Sequence, residues 1–84
     1  KAIYNLAILL RRVGKTDEAV SQLKRFIQLA PNEPRGYLSL GAIYLEKGEL
    51  ETALQYVQQA LAVAPDHPQA RAMLHLLEQQ RQSD

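Results

Sequence analysis

Apolar side chains recur along this chain at helical spacing. Ala2, Leu6 and Leu9 stand at i, i+4 and i+7, as do Ala70, Leu74 and Leu77, so each trio lies on one face of a helix. No stretch sustains the period-two alternation of a half-buried strand. Breakers interrupt the helical pattern at regular points. Pro31-Asn32-Glu33-Pro34 and Pro65-Asp66-His67-Pro68 are turn clusters, and Asn32 and Asp66 are read as the caps of the helices that follow, with Pro34 and Pro68 in the first turns. Gly14 and Gly48 each close an apolar-periodic stretch, where a left-handed glycine ends a helix. Acidic residues open the next segments (Asp17 and Glu18; Glu49 and Glu51), which suits the positive end of a helix dipole. The pattern predicts helices over 2–13, 16–29, 35–47, 50–63 and 68–82.

These elements repeat. A shift of 34 residues superimposes Leu6 on Leu40 and Leu74, Gly14 on Gly48, Ala19 on Ala53, Ala30-Pro31 on Ala64-Pro65, and Pro34 on Pro68. Similar residues extend the register: Val20 with Leu54, Leu23 with Val57, Ile27 with Leu61. The expected fold is therefore all-α, a solenoid of helical hairpins. Its repeats would span 1–33 and 34–67, with a single helix over 68–82 at the end.

Composition narrows the function more than it defines it. The chain has 84 residues, enough for one small domain. Ten Lys and Arg against nine Asp and Glu leave a net charge of +1, too little for a general attraction to nucleic acid. Arg11-Arg12-Lys15 and Lys24-Arg25 are the only basic clusters, and no aromatic residue interleaves them. There is no cysteine, which excludes disulfides and thiolate chemistry. No apolar run exceeds five residues, as at Leu6 to Leu10, so no membrane insertion is expected.

Candidate chemistry is sparse. His67 lies in a breaker loop and His75 on the polar face of the last helix, without a partner at metal-ligand spacing. Gly14, Gly41 and Gly48 are isolated and build no phosphate loop. Ser21, Ser39 and Ser83 lack a nucleophile context. Neither enzymatic activity nor a cofactor is expected.

Tyr37, Leu40-Gly41, Tyr44, Gly48, Ala53, Ala60-Leu61 and Pro65 resemble the signature of the tetratricopeptide repeat at its usual spacing. The first unit resembles it more loosely, with Ile3, Ala7, Leu10 and Phe26 at the corresponding positions. Physically, Ala7 and Gly41 are small where the helices of a hairpin cross, Ala19 and Ala53 meet them, and Tyr37, Tyr44 and Leu61 fill the wider gaps. A single repeat cannot bury its apolar stripes, so stacking supplies the core.

The resemblance implies a binding groove lined by the first helix of each unit. Its residues would be Tyr4, Asn5, Ile8, Arg11 and Arg12, then Arg35, Leu38, Ser39, Ala42, Leu45 and Glu46, and then Gln69, Ala72, Met73, Leu76 and Gln80. The function it implies is a protein–protein interaction module that holds a peptide or protein segment. Tetratricopeptide domains that hold chaperone tails use a set of lysines, asparagines and an arginine. Tyr4, Ile8, Ser39, Gln69 and Met73 stand at those positions, so that activity is not expected here. Residues 1–34 carry six basic and three acidic groups and residues 35–67 carry two and four. Arg11, Arg12 and Arg35 would then favour a partner with acidic groups beside apolar anchors.

The two ends differ. On the last helix Ala70, Leu74 and Leu77 face backward, while Arg71, His75 and Glu78 occupy the forward stripe; burying those charges under a further helix would be costly, so 68–82 reads as a cap. Ala2, Leu6 and Leu9 form the backward stripe of the first helix, a stacking face with nothing in the sequence before it. This reads as a piece of a longer array, and self-association through that face is the alternative function. Cytoplasm and bacterial periplasm both remain open as locations.

Overall fold

The computed structural model describes residues 2–82, in five helices: α1 (Ala2–Arg12), α2 (Thr16–Leu29), α3 (Pro34–Glu46), α4 (Leu50–Val63) and α5 (Pro68–Gln82). No strand occurs among the described residues. The boundaries follow local chemistry. Gly14 and Gly48 adopt φ of 87° and 80°, the left-handed region open to glycine. At the first stop the Gly14 N–H donates to the Arg11 carbonyl (3.2 Å) and the Lys15 N–H to the Leu10 carbonyl (2.8 Å). The second stop repeats this with Gly48 to Leu45 (3.0 Å) and Glu49 to Tyr44 (2.9 Å). Both are Schellman closures, which satisfy carbonyls that the helix end leaves open.

The helix starts correct one expectation. Asn32 and Asp66 do not cap. The cap of α3 is Glu33, whose carboxylate accepts from the Arg35 N–H (3.5 Å). In front of α5, His67 Nδ1 accepts from the Ala70 N–H (3.3 Å). The reason is register: a proline in the first helical position makes its immediate neighbour the cap, and Asn32 and Asp66 lie one residue further out, in the turn.

Within each hairpin the small residues allow close approach. Ala7 and Ala19 are both fully buried between α1 and α2, with Leu23 beside them. A Cβ placed on Gly41 would stand 3.0 Å from Val57 Cγ2 and 3.5 Å from the Ala53 carbonyl oxygen, so α3 and α4 cross here with no room to spare. Stacking between hairpins builds the rest of the core. Leu40 and Ile43 of α3 are fully buried in one cluster with Ala19 and Leu23 of α2. Leu77 of α5 packs with Ala53, Leu54 and Val57 of α4. Tyr44 and Tyr56 stack with centroids 5.7 Å apart, and Tyr37 Oη donates to the Pro31 carbonyl (2.9 Å). The result is a slab of 36 × 27 × 16 Å.

Candidate functional site

The first helices of the units lie side by side. Arg35 of α3 places its guanidinium 4.6 Å from the centre of the Tyr4 ring of α1. At the other end of the same pair, Arg11 Nη2 donates to Glu46 Oε2 at 2.6 Å. Met73 of α5 stands 3.5 Å (Sδ) from the Cβ position of Gly41 on α3. The first two contacts tie α1 to α3, while Met73 reaches Gly41 from the interior, packed against the Ala53–Val57–Leu77 cluster. Between the two α1–α3 links lie Ile8, one turn from Tyr4 and from Arg11, and Ala42, one turn from Glu46; both are half-buried.

The expected groove residues divide into three groups. Asn5, Arg12, Gln69, Ala72 and Leu76 are exposed, while Ile8, Ala42 and Leu45 are half-buried; these present a mixed apolar and polar surface. Tyr4, Arg11, Arg35 and Glu46 are engaged with one another across α1 and α3. Leu38, Ser39 and Met73 belong largely to the interior. Leu38 is 7% exposed and packs with Ala60 and Ala70. Ser39 is 8% exposed, and Met73 contacts both that cluster and the Ala53–Val57–Leu77 cluster. The cause is geometric. Leu38 follows Tyr37 toward α4 and α5, and α5 leans over it. Gln80 sits on the exposed side near the end of α5.

Charge on this face is largely answered from within. Glu46 neutralises Arg11, and Glu33 Oε1 lies 3.2 Å from Arg35 Nε. Arg35 also approaches the Phe26 ring (5.7 Å), which itself packs 5.5 Å from Tyr4. Among the described residues Arg12 makes no ion pair, so the positive field that the arginines promise rests mainly on it. Glu33 was missed by sequence reasoning, although its place before Pro34 is the signal for a cap. The Arg11–Glu46 pair was legible in principle, since partners one repeat apart plus one residue share an edge: their separation is 35. No group of three His, Asp or Glu comes together to hold a metal among the described residues. No helix of the described residues is long and apolar enough to cross a membrane.

Of the residues expected to form a stacking face, Leu6 is 44% and Leu9 56% exposed. The side chain of Ala2 lies outside the described residues. Arg71, His75 and Glu78 are exposed on α5, while Ala70 and Leu77 are buried on its opposite side.

Comparison with known proteins agrees with the repeat. A tetratricopeptide-repeat family model matches residues 4–68. Tetratricopeptide repeat protein 17 of Danio rerio is 36% identical over 75 residues, covering 89% of this chain and 6% of that protein. Anaphase-promoting complex subunit 6 of Dictyostelium discoideum is 33% identical over 64 residues, 76% of this chain and 7% of that protein. The human protein O-mannosyl-transferase TMTC1 is 36% identical over 73 residues, 87% of this chain and 8% of that protein. The chain thus spans less than a tenth of each of these relatives, one of which is named as an enzyme. Five helices, a 34-residue period and the matched family model together assign this chain to the tetratricopeptide-repeat family, whose members generally mediate protein–protein interactions.

Proposed function

We propose that the chain is a recognition module that holds an extended peptide or protein segment against the α1–α3–α5 face, with residues 1–33 and 34–67 as its repeats and 68–82 as a cap. The observation that carries this reading is the pair of α1–α3 cross-links. Tyr4–Arg35 and Arg11–Glu46 fix two helices around the half-buried Ile8 and Ala42, so the surface between them is held in shape before any partner arrives. A preorganised surface loses less entropy on binding. Leu45 and the exposed Leu76 continue the apolar path towards α5, and Asn5 and Arg12 supply polar edges. The partner segment then carries apolar anchors with an acidic residue placed for Arg12. The module itself is not catalytic in this reading.

Self-assembly by head-to-tail stacking has less support. The stripe that would receive the next copy carries Arg71, His75 and Glu78, and a charged stripe resists burial against Leu6 and Leu9.

Peptides selected against the full chain from a random library test the reading. A selected peptide should shift the NMR signals of Ile8, Ala42, Leu45 and Leu76, and Arg12→Glu should weaken it roughly tenfold while leaving helicity unchanged. Shifts confined to α2 and α4 would move the site to the opposite face.

A further inference from the structure

The chain has one methionine and neither cysteine nor tryptophan, so Met73 is the one side chain that a mild oxidant converts readily. It stands where α5 meets two other helices. Its Sδ lies 3.5 Å from the Cβ position of Gly41 on α3. The same side chain packs against both interior clusters that hold α5, Leu38 and Ala60 with Ala70 on one side and Val57 with Leu77 on the other. α5 rests mainly on α4, and it reaches α3 through Met73 over Gly41 and through Ala70 beside Leu38. None of the buried side chains that make up the two clusters carries a hydrogen-bond donor. Met73 itself is half-buried rather than sealed, which leaves it open to a small solute.

We infer that Met73 is a peroxide-sensitive switch that governs how firmly α5 is held. In the oxidation the thioether sulfur takes one oxygen from hydrogen peroxide. An S–O bond forms, the O–O bond breaks and the second oxygen leaves as water, so sulfur is oxidised and peroxide reduced. The product is a polar sulfoxide packed against groups that cannot donate to it, and an unanswered polar atom resists burial. α5 therefore loosens until the sulfoxide oxygen meets water. The packing of α1 on α2 is untouched, because Met73 takes no part in the Ala7–Ala19–Leu23 cluster. A dithiol-dependent reductase reverses the change: the S–O bond breaks, the oxygen leaves as water and the dithiol closes to a disulfide. Loosening also carries Leu76 of α5 away from the α1–α3–α5 face. That consequence rests on the proposed binding function, whereas the loosening itself does not.

The test treats the full chain with hydrogen peroxide, locates the added oxygen by mass spectrometry and follows amide hydrogen exchange without any ligand present. One oxygen is expected, on Met73, and exchange in α5 should become about tenfold faster while the centre of α2 keeps its protection. Methionine sulfoxide reductases should restore the slow exchange. Met73→Leu, a change of similar volume, should keep α5 protected and make it indifferent to peroxide. Conversion of Met73 without faster exchange in α5 would overturn the inference, as would a thioether that peroxide reaches only after urea unfolding. Equal loosening of all five helices would also sink it, since oxidation would then unfold the chain rather than release α5. The same acceleration in peroxide-treated Met73→Leu would assign the effect to another side chain.

Discussion

Gly41 and Val57 face each other at the crossing of α3 and α4, where a Cβ on the glycine would come within 3.0 Å of Val57 Cγ2. Val57 is fully buried and β-branched, so it has few rotamers into which to retreat. Gly41→Ala gains helix propensity of roughly 1 kcal/mol and loses a similar amount to crowding, giving a change near zero. Gly41→Val adds atoms where none fit and should destabilise by about 2 kcal/mol in urea unfolding. Val57→Ala opens a space of its own, yet combined with Gly41→Val it should cost less than the sum of the two. Strict additivity would mean that the helices do not cross through this pair.

The fold was legible because its determinants are local and recur. Gly14 and Gly48 announce helix ends by backbone conformation alone, and Pro34 and Pro68 announce starts. The expected helices accordingly match the observed ones to within a residue or so. The site was less legible, because which side of a helical face another helix overhangs depends on tertiary geometry. Leu38 and Leu45 share the i, i+7 row, but α5 covers the first far more fully. Charge was hardest to read. Composition counts Arg11, Arg12 and Arg35 alike, whereas only packing decides that two of them meet carboxylates.

Arg35 and Arg12 should therefore respond differently to truncation. Arg35 stacks its guanidinium over Tyr4, touches Phe26 and pairs with Glu33. Arg35→Ala should cost about 1 kcal/mol through the lost cation–π contact and stem packing. Arg12→Ala should stay within about 0.5 kcal/mol of the parent, as surface changes usually do. Equal losses at the two positions would mean that the stack over Tyr4 adds nothing.

His67 acts through a lone pair. Its Nδ1 accepts the Ala70 N–H at 3.3 Å, where a helix would otherwise leave a donor open. His67→Ala should cost about 1 kcal/mol and fray the start of α5 in hydrogen exchange. His67→Asp should retain the stability, because a carboxylate accepts the same bond and suits the helix dipole. A full loss with aspartate would show that the imidazole ring is needed for its packing instead.

Leu9 and Ile43 stand in the same register, one repeat apart. Their surroundings differ. Ile43 is fully buried against Leu23 and Ala19, so Ile43→Ala removes packing on all sides and should cost about 2–5 kcal/mol, the range for emptying a well-packed core position. Leu9 is 56% exposed, and Leu9→Ala removes few contacts, so a loss below about 1 kcal/mol is expected. A drop in stability as large as that of Ile43→Ala would instead place Leu9 in the core of the free chain.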